Sequence, residues 1–318
     1  MKTAMLVIFS LLISKFALAD SYVSMSNTPV LSDPQKTQIY ISTATGASKG
    51  TVVLLHGFVM ISPDISQERN TELTTRGYDV IFPQYQEAGP GIVLSIGLLG
   101  LIGFDGATVN HDKWTDNACE GIRWGLRQRL PYLQGFSPVL RKPSDRLFVF
   151  GHSIGGAIGY NLANRCTDVG DKIQGMVLAN AILDPTKLLD AQNSPLPMPV
   201  PQTINLKYAG VFNAFPILFL TGEQDAWGNP NQGQEFLDAA IKSPDKRILV
   251  AKGPDANHLA PTTNSGAVGD LLTLLGVMNS IGGKIVHNNL DTKYYSAAIL
   301  HLLSGGLPST FTSGVATQ

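Results

Sequence analysis

Phe150-Gly151-His152-Ser153-Ile154-Gly155-Gly156 sets a serine between glycines in a G-x-S-x-G pattern, and a serine so held can attack a carbonyl carbon. The apolar run Leu147 to Phe150 precedes it, and Ala157, Ile158, Tyr160, Leu162 and Ala163 follow at helix-like spacing. The expected local structure is a strand, a sharp turn and a helix. Small residues at Gly151 and Gly155 then let strand and helix approach closely, while the turn pushes the hydroxyl out at the carboxyl end of a sheet. Gly46-Ala47-Ser48-Lys49-Gly50 has the same spelling, but Ser48 sits in a Thr/Gly/Ser-rich loop ahead of a strand and no helix follows. Context selects Ser153 as the candidate nucleophile.

A serine at neutral pH needs a base to take its proton, and the base needs an acid to fix its tautomer and offset the charge it acquires. Of six histidines, His56 and His152 flank motif glycines, His111 begins a helix, and His287 and His301 lie in a C-terminal helical region. His258 alone lies in a loop right after a late strand, which makes it the candidate base. Asp225 holds the matching place one strand earlier and is the preferred acid, with Glu223 and Asp255 as alternatives; a helix cap or a turn is the plain structural reading of Asp225. A negative oxygen formed on the substrate needs backbone donors. Ile154 N–H follows the nucleophile at a helix amino end, and the second donor is expected in the loop after the strand Thr51 to Leu55, at Phe58, with Val59 second.

The elements that must carry these residues alternate. Thr37 to Ile41 reads as an early edge strand, and Thr51 to Leu55, running into His56-Gly57-Phe58, as a buried parallel strand. A helix from about Ile65 to Arg76 stops at Gly77, and Tyr78 to Phe82 is the next strand. Trp114, Ala118, Ile122, Leu126 and Leu130 recur every four residues, the stripe of a helix packed on a sheet and ending before Pro131. Further strands are expected within Lys172 to Ala181, at Pro216 to Thr221 and at Arg247 to Ala251, with a helix near Gln232 to Ile241 and mostly helical pattern from Val268 to Leu303. Strand and helix in alternation imply an α/β fold with a mostly parallel central sheet covered by helices on both faces.

Two segments fall outside that rhythm. Gly91 to Phe104 is apolar and glycine-rich, too short to span a bilayer, and reads as a buried helical hairpin, an apolar wall of a substrate pocket, or a surface that touches lipid. Asp184 to Phe215, with Pro195, Pro197, Pro199 and Pro201, is a candidate cap over the site or a plain surface loop.

The first nineteen residues have the pattern of a secretory signal peptide. Met1-Lys2 is followed by an apolar core and by Ala17-Leu18-Ala19, so cleavage is expected after Ala19 and the protein is expected to be secreted or periplasmic. Residues 20–36 read as a flexible lead-in, and 37–318 as a single domain. Net charge is −1 with no basic run, so nucleic-acid binding has no electrostatic footprint. Cys119 and Cys166 read equally as a disulfide or as buried small apolar residues, and neither has a His/Cys cluster that would hold a metal.

Carried by His56-Gly57-Phe58, Gly151 to Gly156, Gly222-Glu223-Gln224-Asp225 and His258, the chain from about Thr37 to Leu303 resembles the α/β-hydrolases. Within that superfamily the Gly-His-Ser-x-Gly-Gly form with a short His-Gly loop resembles secreted lipase-like and cutinase-like esterases and the dienelactone-hydrolase branch; the His-Gly-Gly-Gly form of another esterase branch is missing. The order Ser153, Asp225, His258 is the chain order of that fold type. The resemblance implies carboxylic-ester hydrolysis through an acyl-enzyme, on a small-molecule or lipid-like ester and without a cofactor. A thioesterase, amidase or peptidase using the same residues, or a binding protein on the same fold, are the alternatives.

Overall fold

The computed structural model describes residues 23–24, 38–57, 63–86, 111–127, 144–184, 205–225, 227–228, 230–262 and 291–306. Its centre is an eight-stranded open sheet: β1 (Val23–Ser24), β2 (Gln38–Ser42), β3 (Thr51–Leu55), β4 (Asp79–Gln84), β5 (Leu147–His152), β6 (Ile173–Ala179), β7 (Ile217–Gly222) and β8 (Lys246–Ala251). Their order across the sheet is β1-β2-β4-β3-β5-β6-β7-β8. β1 and β2 run antiparallel to their neighbours, while β4, β3, β5, β6, β7 and β8 are mutually parallel.

Period-two alternation explains why the strands are apolar throughout. Val53, Leu55, Ile81, Leu147, Val149, Met176, Leu178, Ile217 and Phe219 enter a core on one face. Val52, Leu54, Val80, Phe82, Phe148, Phe150, Val177, Leu218 and Leu220 enter a second core on the other. A parallel sheet buried on both faces has no solvent side on which to place polar residues. The first face is covered by α2 (His111–Arg127), α3 (Ile154–Arg165) and α6 (Pro230–Ala239); the second by α1 (Gln67–Thr75) and α7 (Ala297–Leu303). Two short helices, α4 (Thr167–Gly170) and α5 (Leu206–Gly210), complete the described α-helices, and a π-helical turn, Asp291–Ser296, leads into α7. The α/β architecture expected from the alternation is therefore the one observed.

The differences are local. The expected edge strand, β2, has the two-residue β1 outside it, with Val23 opposite Ile41 and Ser24 opposite Tyr40, so part of the expected irregular lead-in is paired. A 3₁₀ turn, Pro63–Ser66, precedes α1, which ends at Thr75 with Arg76 as its C-cap, before Gly77 at φ +93°. Of the segment read as a cap or loop, residues 205–215 contain α5, whose Leu206 and Ala209 are buried in the first core; residues 185–204 lie outside the described residues, as do 91–104 and 1–22. Cys119 on α2 and Cys166 after α3 are both buried and disulfide-bonded, Cα to Cα 6.2 Å, which ties two helices of the same layer. Among the described residues, no helix is long and apolar enough to cross a membrane and no cluster of His, Cys, Asp and Glu could hold a metal ion.

Candidate active site

Ser153 stands between β5 and α3 with φ +56° and ψ −126°, a backbone that side-chain-bearing residues seldom adopt. Two glycines make the turn possible. A Cβ on Gly151 would meet the Gly155 carbonyl, and one on Gly155 would meet the carbonyl oxygens of Leu55 and His56 on the neighbouring strand. The turn is anchored by Ser153 N–H donating to Ala179 O (3.1 Å), and by Gly156 N–H (2.9 Å) and Ile182 N–H (3.1 Å) donating to Ser153 O. Ser48, by contrast, is half-buried ahead of β3 and turns its hydroxyl onto the carbonyl of Gly50.

The structure brings three expected side chains together. His258 Nε2 lies 2.8 Å from Ser153 Oγ, and His258 Nδ1 lies 3.1 Å from each carboxylate oxygen of Asp225. All three are buried. They come from the carboxyl ends of β5, β7 and β8, which is how residues far apart in sequence reach one point. Because Nδ1 faces a carboxylate it carries the proton, which leaves the Nε2 lone pair aimed at the serine hydroxyl. Asp225 Oδ1 also accepts the N–H groups of Trp227 (2.8 Å) and Gly228 (3.0 Å). Burial works against the charged carboxylate, but the His258 charge and hydrogen bond together with those two N–H donors outweigh it, and Asp225 is held below the ordinary carboxylate range.

The carboxylate that meets His258 Nδ1 is that of Asp225, not of Glu223 or Asp255. Glu223 turns its carboxylate away, accepting Gly253 N–H at 2.6 Å and pairing with Lys252 at 3.3 Å. Ile154 N–H opens α3, where the first N–H groups have no carbonyl a turn earlier to bond and the helix dipole favours negative charge. Phe58 and Val59, the expected second donors, lie outside the described residues. The chain leading to them is pinned: His56 O accepts the Tyr85 hydroxyl, and Gly57 O accepts His56 Nδ1 (2.8 Å) and Gln86 Nε2 (3.0 Å). Burial pushes the His56 imidazole down to about 4.

Asn180, just past β6, was not singled out by motif. Fully buried and with φ +47°, it accepts Gly222 N–H (3.0 Å) and the Tyr295 hydroxyl (2.9 Å) on Oδ1 and donates from Nδ2 to Asn257 O (2.7 Å). Its sequence signal is a polar residue directly after the unbroken apolar run Met176 to Ala179, between the strands that lead to Ser153 and Asp225. Trp227, two residues beyond Asp225, sets its ring edge-on to His258 with centroids 4.8 Å apart.

No protein-family model matches the chain, and no curated protein matches it. Solved structures do. Est1E from Butyrivibrio proteoclasticus superposes with a TM-score of 0.52 at 13% identity, over 81% of this chain and 100% of that one. An esterase of Pyrococcus furiosus superposes with a TM-score of 0.53 at 16% identity, over 93% of this chain and 94% of that one. At such identities the likeness is one of fold.

Proposed function

We propose that this chain, which has the α/β-hydrolase fold, is an exported serine hydrolase that cleaves carboxylic esters through an acyl-enzyme. One observation carries the reading: the continuous hydrogen-bonded line from Ser153 Oγ through His258 to Asp225, buried and at the amino end of α3. Ser153 attacks the ester carbonyl as His258 Nε2 takes its proton, and Asp225 offsets the imidazolium charge. The oxygen that becomes negative is met by Ile154 N–H and, on sequence grounds, by Phe58 N–H. His258 then returns the proton to the leaving alcohol. Water, deprotonated by the same imidazole, releases the acid and restores the serine.

The ester assignment draws on two further supports. The Pyrococcus furiosus neighbour carries the name esterase, and apolar segments flank the residues in sequence, which favours a hydrophobic acyl group. Export is supported by the amino-terminal sequence and by the Cys119–Cys166 disulfide, a bond that persists in oxidising compartments. A panel of chromogenic esters of rising acyl length, run beside the matching thioesters and anilides, tests the reaction class. Turnover of longer-chain esters above acetyl esters is the expected result; preference for acetyl esters, or turnover confined to thioesters or amides, would overturn the ester reading.

A further inference from the structure

The loop 252–262 that carries His258 has no strand or helix of its own; from below, three buried side chains donate to its carbonyls. Asn180 Nδ2 donates to Asn257 O at 2.7 Å, His152 Nε2 to His258 O at 2.8 Å, and Arg69 Nη2 to Pro261 O at 2.5 Å. We propose that Arg69, His152 and Asn180 are positioning residues that grip the His258 loop at these three carbonyls and so keep Nε2 within hydrogen-bond reach of Ser153. The proposal rests on the hydrolase reading above.

The donors come from three elements, and each is tied to another part of the site. His152 is the residue before Ser153, so its bond to His258 O references the base directly to the nucleophile turn. Asn180 also takes Gly222 N–H, at the root of the Asp225 turn, which references the base to the acid. Arg69, on α1 after β3, lays its guanidinium over the Phe150 ring at 4.1 Å from the centroid, between the nucleophile strand and Pro261.

Chemistry suits each donor to the task. A carbonyl can only accept, so His152 must carry its proton on Nε2. Burial and the nearby His258 charge push its imidazole down to about 3, keeping it in that single neutral form. Burial lowers Arg69 to about 9, still charged at neutral pH, and a charged donor holds a carbonyl more firmly than a neutral one. Proton transfer requires heavy atoms held to within tenths of an ångström, and a misplacement of about 1 Å costs on the order of a hundredfold in rate.

The test compares paired variants of the full chain: His152→Leu with His152→Gln, and Arg69→Met with Arg69→Lys. Reactive serine is counted with a fluorophosphonate, and kcat per titrated serine, KM and the melting temperature are then measured. The leucine and methionine variants are expected to lose about tenfold to a hundredfold in kcat per titrated serine. KM should stay within about twofold, and the glutamine and lysine variants, which keep a donor, should recover most of the loss. A lower melting temperature with unchanged kcat per titrated serine, or His152→Gln behaving like His152→Leu, would overturn the clamp. Should Arg69→Met fail to fold, the His152 pair decides. A wild type that neither hydrolyses esters nor takes the label refutes the hydrolase reading itself and removes the clamp with it; an active wild type with unaffected variants refutes the clamp alone.

Discussion

Ser153 and Asn180 leave neighbouring parallel strands with the same unusual sign of φ, +56° and +47°, and they are the two non-glycine residues with positive φ among those described. One carries the hydroxyl and the other fixes the surrounding loops, since Asn180 reaches Gly222, Asn257 and Tyr295 at once. Asn180→Ala keeps an unfavourable backbone, orphans the buried Gly222 N–H and Tyr295 hydroxyl, and leaves Asn257 O with Ala260 N–H as its remaining donor. It is expected to cost about 2–4 kcal/mol in urea unfolding. A loss under about 1 kcal/mol would show that water or neighbours replace those bonds.

The acid can be assigned by a pair of substitutions. Asp225→Asn retains the shape but offers His258 the wrong partner for its Nδ1 proton, and kcat on a chromogenic ester should fall on the order of 10³–10⁴-fold. Glu223→Gln should leave kcat unchanged, because Glu223 faces Lys252 and Gly253 at the surface. The reverse pattern would move the acid to Glu223.

How much of this was legible in the sequence follows from where the signal lies. Unbroken apolar runs such as Thr51 to Leu55 announce parallel strands because both faces are buried, and three loops at strand carboxyl ends were enough to join Ser153, Asp225 and His258. Asn180, Arg69 and the bond from His152 to the His258 carbonyl carried little such signal. Their importance depends on which strands are neighbours, and β6 lying between β5 and β7 is a property of the sheet order rather than of local spacing. The cysteine pairing was equally open until α2 and α3 were seen side by side, with Cys119 and Cys166 on facing positions.

That disulfide spans a sequence separation of 47 residues. Chain-entropy arguments put its worth at about 2–4 kcal/mol, so reduction or the double change Cys119→Ala, Cys166→Ala should lower the melting temperature by several degrees, roughly 4–10 °C. Equal melting with and without reductant would contradict a bond of this kind.

Stability should fall on acidification below neutrality. Burial lowers His56 and His111 to about 4 and His152 to about 3, from 6.5 in the unfolded chain. Above about pH 8 all three are neutral in both states and no linkage acts. As pH drops from about 7.5 toward 4 the unfolded chain takes up protons that the folded one refuses, so unfolding is favoured. Near pH 5 the slope for three such groups is about 4 kcal/mol per pH unit. Urea unfolding at pH 7 and pH 5 measures it, and His111→Leu, which removes one of the three groups, should lower the slope by about one third. Equal stability at the two pH values would contradict buried neutral imidazoles at these positions.

The most direct test of the central claim is covalent labelling of the folded protein with a serine-directed fluorophosphonate, followed by mass spectrometry of the labelled peptide. The account predicts one label per chain, on the peptide containing Ser153, with label and ester hydrolysis both lost in Ser153→Ala. Label that persists in Ser153→Ala, or a folded wild type that takes none, would contradict it.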